Sequence, residues 1–514
     1  MRYILNQRLE SICIRLKIFY RLSFKYCCYK IFEKEFILLR KGNILITAFI
    51  LSVAFCFSVC FADGTYTSST AGEHALTMSG TSASYNNITV TKTGDVSGQS
   101  DDYDWQGTNA AVHASGGGTL KITGSSTKIN SNAKYGNAVF SYGGNLSGSN
   151  SGDGTTIVIS DAVITTSSNN SGGIMVTGGG IISADNLAIT TSSGSSAAIR
   201  SDKGGGTINI SGGTYTTSGT GSPAIYSTAN ITVYGADLKS NTAQAVVIEG
   251  GNSVTLYNDN VTANHNTRNG QDTTYQAVLI YQSMSGDASD GESSFAMTGG
   301  SITNSQGDIF CVTNTTTTIT LSDVTITNND SSGYFLRAAS QSWGTSGSNG
   351  GNVTLKAVSQ DISGNIIIDS ASSLNMTLSD NSTYSGAITI NSSSASVSAT
   401  GGSAFLTVGD GCTLKLTGNS SVTSLDISDE AYVNYGDYSI TVGGTAYSAS
   451  HPYAGHTITD EEDTSTNDPS VNTNTNSVGN PSTSGGSSSG CNFGFGSVSI
   501  LFVCLGILKN SAKK

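Results

Sequence analysis

A repeated pattern of short apolar strands and polar turns constrains this chain more than any other feature, and it runs from about residue 117 to 450. One unit is Thr156-Ile-Val-Ile-Ser-Asp-Ala-Val-Ile-Thr-Thr166, and a later one is Thr207-Ile-Asn-Ile-Ser-Gly-Gly-Thr-Tyr-Thr-Thr217. After a polar gap, many units continue with alanine and further apolar residues, as in Ala245-Val-Val-Ile248. Apolar side chains at every second position indicate β-strands, and self-similarity at roughly 20 to 40 residues indicates a solenoid.

The repeat predicts an all-β fold, a right-handed single-stranded parallel β-helix over residues 117–450 with about eleven coils. Residues 63–116 are less regular and are predicted to form an N-terminal cap, which protects the first coil of a solenoid. Glycine and asparagine at the corners supply the left-handed backbone that tight turns need. The alternative architecture is an antiparallel β-sandwich array, which the uneven unit length and the lack of regularly placed Asn-Gly turns disfavour.

Composition excludes several other classes of protein. Charged residues make up 12% of the chain, and four prolines accompany 62 glycines, which argues against a coiled coil, a helical bundle and collagen. Between residues 63 and 508 there are 33 Asp and Glu against 11 Lys and Arg. Such an acidic body disfavours a nucleic-acid partner, because a basic patch is the expected footprint of nucleic-acid binding.

The N-terminal segment 1–62 is predicted to be a secretory signal with a long basic first region. Residues 44–61 are almost wholly apolar and follow Arg40 and Lys41, while Ala62 supplies a small residue before a polar run. This basic, apolar, small-residue order is typical of export signals cleaved at the small residue, here Ala62. An uncleaved membrane anchor is the alternative.

The C-terminal part divides into a linker and a sorting segment. Residues 451–490 are rich in Ser, Thr, Asn and Gly and are predicted to be a disordered linker. Residues 491–514 hold Cys491, the apolar stretch 498–508 and terminal lysines. This order resembles bacterial CTERM-type sorting tails, in particular the Cys-containing relatives of the GlyGly-CTERM class. The resemblance implies processing near Cys491 and attachment to the cell envelope, with a plain membrane anchor as the alternative.

The repeat body also resembles a known group of proteins. Phrases such as Ser171-Gly-Gly-Ile-Met-Val-Thr-Gly-Gly-Gly180, Gly221-Ser-Pro-Ala-Ile-Tyr-Ser-Thr228 and Tyr281-Gln-Ser-Met-Ser-Gly-Asp287 resemble bacterial surface-exposed β-helix proteins of the pectin-lyase-like, adhesin-like class. The resemblance covers most of residues 95–450. It implies the fold and a surface location more than any chemistry.

Catalytic motifs are sparse. A polysaccharide hydrolase needs two carboxylates placed across the scissile bond. The chain has Asn258-Asp-Asn260 and Asp101-Asp102 but lacks the Gly-His-Gly and Arg-x-Lys of polygalacturonase-like families. We therefore predict no catalytic residue and a protein that is not an enzyme. Cys311 and Cys412 are predicted to be inward-facing apolar residues rather than a redox pair.

Exposed aromatic and cationic residues are the candidates for ligand binding, because a ring on a polar loop can stack on a sugar face. These candidates are Trp105, Trp343, Tyr275, Tyr281, Arg200 and Arg337. For the rings the alternative is packing against one loop or the core, and for the arginines it is pairing with a nearby carboxylate. Asp101, Asp102 and Asp104 are candidate ligands of a structural calcium ion, with a plain polar loop as the alternative.

Taken with export and a tether, these features predict a cell-surface adhesin-like protein that binds glycans or host and extracellular surface proteins through exposed loops. The alternatives are a structural surface component without a ligand and a polysaccharide lyase or hydrolase. An aromatic groove favours the binding protein, a carboxylate pair beside a groove favours the enzyme, and a smooth face favours the structural role.

Overall fold

The computed structural model describes residues 64–391 and 401–455, which form a β-solenoid built from three long, all-parallel sheets. Each turn of the chain visits the three sheets in the same order, so strands in one sheet are separated by two strands in the others. The predicted parallel β-helix is therefore confirmed. All the described residues belong to one compact unit.

Sheet 1 holds ten strands in the described part of the chain. They are β1 (Thr65–Ser68), β4 (Thr89–Lys92), β7 (Lys128–Ser131), β10 (Val163–Thr166), β13 (Ala188–Thr191), β16 (Thr214–Thr217), β19 (Asp237–Ser240), β22 (Asn260–Ala263), β25 (Ser301–Asn304) and β28 (Thr325–Asn328).

Sheet 2 holds twelve described strands. They are β2 (Leu76–Ser79), β5 (Val112–Ser115), β8 (Val139–Tyr142), β11 (Ile174–Thr177), β14 (Ile199–Ser201), β17 (Ile225–Ser227), β20 (Val246–Glu249), β23 (Gln276–Tyr281), β26 (Asp308–Thr313), β29 (Leu336–Ala338), β32 (Ile366–Asp369) and β35 (Ile388–Asn391).

Sheet 3 is the longest, with thirteen described strands, which at about 4.8 Å a step span roughly 60 Å. They are β3 (Ala83–Asn86), β6 (Thr119–Thr123), β9 (Thr156–Ser160), β12 (Gly180–Asp185), β15 (Gly206–Ser211), β18 (Asn230–Tyr234), β21 (Ser253–Tyr257), β24 (Glu292–Thr298), β27 (Thr315–Ser322), β30 (Gly351–Val358), β33 (Ser373–Ser379), β36 (Ser403–Val408) and β39 (Ser424–Ile427).

Two smaller sheets lie toward the C-terminal end of the described residues. A parallel four-stranded sheet contains β31 (Asp361–Ser363), β34 (Thr383–Gly386), β37 (Thr413–Leu416) and β40 (Tyr432–Asn434), and a three-stranded sheet contains β38 (Ser420–Val422), β41 (Ser439–Val442) and β42 (Thr445–Ser448). Strand β42 runs antiparallel to β41 and so departs from the parallel ladder.

Both ends of the described solenoid differ in detail from the sequence prediction. Strands β1 to β3 already belong to the three long sheets, so the ladders extend into the segment 63–116, for which a cap is predicted. At the other end, residues 451–455 belong to the predicted disordered linker, yet they include a 3₁₀ turn at Tyr453–Gly455. Tyr453 is held there because its hydroxyl donates to the Leu425 carbonyl at 2.7 Å and its ring packs edge-on against Tyr447.

One continuous apolar core fills the space between the three sheets. Equivalent inward positions of successive strands stack, as Ile208, Ile231 and Val254 do in β15, β18 and β21, and all three are fully buried. Side chains alternate between the core and the surface along each strand, and the outward neighbour Asn209 is accordingly exposed. Burial of these stacked branched side chains is the main stabilising term of the fold.

The corners between sheets 3 and 1 are short and use left-handed backbone. Asp161, Asn186, Gly235 and Asn258 occupy such corners with φ between 51° and 65°. The Asn186 amide also donates to the Asp161 carboxylate of the preceding coil at 2.9 Å. Asparagine, aspartate and glycine recur here because they adopt this conformation at least cost.

Gly235 offers a clean test of this corner, because a Cβ built on it would meet nothing within 4 Å. We expect Gly235→Ala to lower the free energy of unfolding by about 1 kcal/mol, through its positive φ of 65° alone. Gly235→Asn is the matched control and should lose clearly less, since Asn258 occupies the next corner with φ of 56°. Urea denaturation of both variants measures the difference, and equal losses would contradict the explanation.

Candidate functional site

The outward face of sheet 2 is buried along several strands, although an outward face of a solenoid normally meets solvent. Every residue of β20, β23 and β26 is buried, on both faces of the sheet. In β16 and β19 of sheet 1, by contrast, the outward positions are exposed or partly exposed. Something other than the core therefore covers this part of sheet 2.

Long connections border this face. The described turns between sheets 3 and 1 are mostly two residues, as at Asp161-Ala162, whereas the segments 93–111, 143–155, 264–275, 282–291 and 339–350 all enter or leave sheet 2. Three of them reach onto the face, since Thr274 Oγ1 of the 264–275 segment lies 4.0 Å from Cys311 Sγ. Trp343 of the 339–350 segment packs on it, and the Trp105 carbonyl of the 93–111 segment accepts a hydrogen bond at 2.6 Å from the Thr177 hydroxyl of β11.

Six outward side chains form one row across consecutive strands β14 to β29, and we call this row with its immediate neighbours Glu249 and Tyr281 the outer strip. In register order the row is Arg200, Tyr226, Val247, Leu279, Cys311 and Arg337. Five steps of about 4.8 Å make it roughly 24 Å long. The register continues beyond both arginines, to Met175 of β11 and Ile367 of β32.

The centre of the outer strip is a small second core. Val247, Leu279, Tyr281 and Cys311 are buried together, and the partly buried Tyr226 and Trp343 pack against them. The rings of Trp343 and Tyr281 lie 4.7 Å apart between centroids. Asn349 fixes the Trp343 loop, because its side-chain amide donates to the carbonyls of Gln341 and Trp343.

Glu249 lies beside this cluster and is 1% exposed. Its Oε2 accepts hydrogen bonds from the Tyr226 and Tyr281 hydroxyls, the second at 2.9 Å. Burial, followed by the nearby negative charge, raises the pKa of both tyrosines well above the usual value, so both hydroxyls keep their protons and donate. Oε1 of Glu249 is buried and has no hydrogen-bond partner among the described residues.

Other buried polar atoms near the outer strip lack partners in the described structure. They are Gln282 Oε1, Gln341 Oε1 and Ser340 Oγ. Gln282 follows Tyr281, and its Nε2 donates to the Ser283 carbonyl at 3.1 Å, which leaves the oxygen as the unpaired atom. Gln341 follows β29 and donates its backbone N–H to Thr313 Oγ1 at 3.0 Å. Buried polar groups are nearly always satisfied, and other buried atoms without a partner, such as Tyr215 Oη and Asn304 Oδ1, lie elsewhere in the described residues.

Each end of the outer strip carries an arginine paired with a carboxylate. Arg200 Nη2 lies 3.1 Å from Asp202 Oδ2, and Arg337 Nε lies 2.6 Å from Asp308 Oδ2. Burial raises the pKa of Asp202 to about 6, although the Arg200 guanidinium opposes the shift. Burial also raises the pKa of Asp308 against the effect of Arg337.

Most of the predicted ligand-binding residues meet on or beside this face. Arg200, Arg337 and Tyr281 belong to the outer strip, and Trp343 packs on it. Near the Arg200 end, the Lys203 ammonium lies 4.0 Å from the centroid of the Trp105 ring. Tyr275 is not part of the strip, since it lies in the connection before β23 with its ring edge-on to His265.

The three aspartates predicted as calcium ligands lie together on one short segment, and the calcium site stays a prediction. Asp101, Asp102 and Asp104 form a short helix, α1 (Asp101–Asp104), in which Asp104 is nearly buried while Asp101 and Asp102 are exposed. Asp102 instead accepts a hydrogen bond from the Gln106 amide at 2.9 Å. Across the described ranges, no group of three or more His, Cys, Asp or Glu side chains is placed to hold a metal ion.

The inward orientation predicted for Cys311 is wrong. Its neighbours Phe310 and Val312 face the core, so Cys311 faces outward and is buried under the Trp343 loop instead. Burial raises the pKa of its thiol to about 12, which makes it unreactive. Cys412 lies in the core as predicted, and both thiols are free.

Sequence reasoning missed Glu249, Tyr226, Asp202 and Asp308. A usable signal was present, because Ala277-Val-Leu-Ile-Tyr281 and Ile309-Phe-Cys-Val312 are continuous apolar runs rather than alternating ones. Such runs indicate strands buried on both faces. The positions of the charged residues relative to one another depend on ladder register, which the repeat alone leaves undefined.

The predicted processing residues Ala62 and Cys491 lie outside the described residues. Within the described segments, no helix has the length and apolar character needed to cross a membrane. Comparisons with protein-family models, curated proteins and solved structures find no match to this chain.

The Asp202 carboxyl gives a pH test of the strip. Its folded pKa of about 6 exceeds the ordinary 3.8, so the folded state binds a proton more tightly than the unfolded state. The stabilising contribution of Asp202 is therefore full below about pH 4 and falls as pH rises to 6. We expect the free energy of unfolding of the wild type, minus that of Asp202→Asn, to fall across this window.

Urea unfolding at intervals between pH 4 and 7 measures this difference. Asp426→Asn removes one carboxylate from an exposed position of β39 and is the matched control for the loss of charge. A difference that stays constant or rises with pH would contradict the burial of Asp202.

Proposed function

We propose that this chain is an adhesin-like protein of the cell surface that binds glycans along the outer strip of sheet 2. The observation that carries the proposal is the coincidence of aromatic rings and unpaired hydrogen-bonding atoms in one place. Trp343 and Tyr226 are partly buried at the strip, beside the orphan oxygens of Glu249 and Gln282. Sugars combine apolar ring faces with hydroxyl groups, so a site for them needs both features.

The centre of the outer strip is buried, so its accessible groups lie at the two ends. The arginines at its ends have side chains 14% and 22% exposed and therefore remain accessible at the rim.

The surface location is part of the same proposal. The apolar segment before Ala62 supports export, and the tail after Cys491 supports attachment to the cell envelope. The likeness of the repeat phrases to surface β-helix adhesins points the same way, with glycans or host and extracellular surface proteins as partners. A purely structural surface component is the alternative, and it would need neither an aromatic cluster nor orphan acceptors.

A polysaccharide-active enzyme is a second candidate because carboxylates lie along the same strip. Asp202 follows β14 and Glu249 ends β20, two strands further along sheet 2. Glycoside hydrolysis uses two carboxylates on opposite sides of one bond. Binding without bond cleavage is favoured here, because Asp202 is paired with Arg200 and Glu249 already accepts from two tyrosines.

A glycan array probed with the purified full chain tests the proposal, with sugar products assayed in the same wells. We expect binding without products, and we expect Trp343→Ala to weaken it roughly tenfold, as loss of an aromatic platform does. Tyr234→Ala is the matched control, since Tyr234 is a half-exposed ring on the outward face of sheet 3.

Products in the wells would favour the enzyme. Equal effects of the two substitutions would remove the outer strip as the binding site. A lack of binding to every glycan on the array would favour the structural role.

A further inference from the structure

One corner between sheets 1 and 2 carries a bulky residue where the neighbouring coils have small ones. Four successive coils make this turn through a residue with left-handed backbone, with φ between 54° and 61°. In chain order these residues are Tyr135, Asn170, Ser195 and Gly221. Glycine and asparagine adopt this conformation readily, whereas a side chain with a ring is sterically disfavoured in it. The ring of Tyr135 is therefore kept at a cost to the stability of the fold.

Core packing does not explain this ring. Among the described residues, the apolar clusters include neither Tyr135 nor its aromatic neighbours Tyr103 and Trp105. All three side chains are partly exposed. The rings of Tyr103 and Tyr135 lie 6.3 Å apart between centroids, at 41° to each other. Strained backbone that packing does not account for is typical of binding sites.

These rings lie at the Arg200 end of the outer strip, which is one of its two accessible ends. Burial and then the Asp104 carboxylate raise the pKa of Tyr135, while the Arg200 guanidinium opposes the shift, so both charged groups lie within electrostatic reach of the phenol. The Lys203 ammonium, three residues beyond Arg200, lies 4.0 Å from the centroid of the Trp105 ring. Aromatic and cationic side chains from three separate segments therefore meet at this end.

The segment 93–111, which carries two of the rings, is anchored without help from Tyr135. Its Ala110 packs with Phe140 and Met175 on the outward face of sheet 2. Its Trp105 carbonyl accepts the hydrogen bond from β11 described above. Rings held on an anchored segment lose little conformational freedom when a ligand stacks on them.

We propose that the rings of Tyr135, Tyr103 and Trp105 form the sugar-stacking surface of the outer strip at its Arg200 end, and that Tyr135 keeps its strained corner for this contact. This inference rests on the proposed function and names the part of the strip that contacts the sugar. The ligand class is a glycan whose pyranose rings present an apolar face of C–H groups, because such a face stacks on an aromatic ring.

Three substitutions at Tyr135 separate the contribution of the ring from that of the backbone. Tyr135→Phe keeps the ring and the strain, and Tyr135→Ala removes only the ring. Tyr135→Asn removes the ring and relieves the strain, since Asn170 has the same φ of 58° one coil away. We expect affinity to follow the ring, so that Tyr135→Phe stays within about twofold of the wild type while the other two variants lose about tenfold.

Stability should follow the backbone instead. Tyr135→Asn is expected to unfold at a higher urea concentration than the wild type, because asparagine tolerates left-handed backbone, whereas Tyr135→Ala is not. A ring that merely packs the loop predicts the opposite pattern, in which Tyr135→Asn and Tyr135→Ala both lower stability and leave affinity unchanged. The two explanations therefore differ in the sign of one measured shift.

The experiment measures affinities of the full chain for oligomers of glucose, N-acetylglucosamine and galacturonic acid, together with urea unfolding of each variant. Circular dichroism confirms that the variants fold, and Trp343→Ala is measured beside them. Weaker binding and higher stability of Tyr135→Asn, with Tyr135→Phe close to the wild type, is the expected result.

The remaining outcomes contradict the inference in distinguishable ways. Wild-type affinity of the Tyr135 variants, with binding lost in Trp343→Ala, would place the sugar at the Trp343 loop and overturn the inference while leaving glycan binding intact. Lower stability of Tyr135→Asn would show that the ring serves packing and would also overturn it. A wild-type chain that binds none of the oligomers would overturn the proposed function itself, and this inference with it.

Discussion

The parallel backbone ladder between successive coils is the constraint on which the rest of this structure depends. Each strand donates and accepts hydrogen bonds with the coil on either side, at a fixed spacing of about 4.8 Å. The register is continuous, so Ile208 stacks on Ile231 and Ile231 on Val254. Because a ladder position cannot absorb an extra residue without flipping the faces, every insertion has to leave at a corner.

The corners used by the long insertions determine where the molecule has a distinctive surface. They border sheet 2, whereas the corners between sheets 3 and 1 are short and occupied by residues such as Asn186 and Gly235. The Trp343 loop packs on the outward side of sheet 2 and converts a solvent face into a second, smaller core. Glu249 is buried beside this cluster, with one carboxylate oxygen satisfied and the other not.

Burial on that face also organises its electrostatics. Ionisable groups removed from water need partners, and the strip provides them locally through Arg200 with Asp202 and Arg337 with Asp308. What remains unpaired there are buried oxygens of Glu249, Gln282, Ser340 and Gln341.

The solenoid could be predicted from the amino-acid sequence, since period-two strands between glycine and asparagine turns have few other ways to bury their apolar face. The sequence also picked out Trp105, Trp343, Tyr281, Arg200 and Arg337 as residues of interest, because aromatic and basic side chains stand out in a polar, acidic chain. It could not place Arg200 and Arg337 in one row, pair them with Asp202 and Asp308, or turn Cys311 outward. Tertiary structure decided those points, because ladder register aligns residues from distant coils, and because a loop's position over a face depends on contacts that no local pattern encodes.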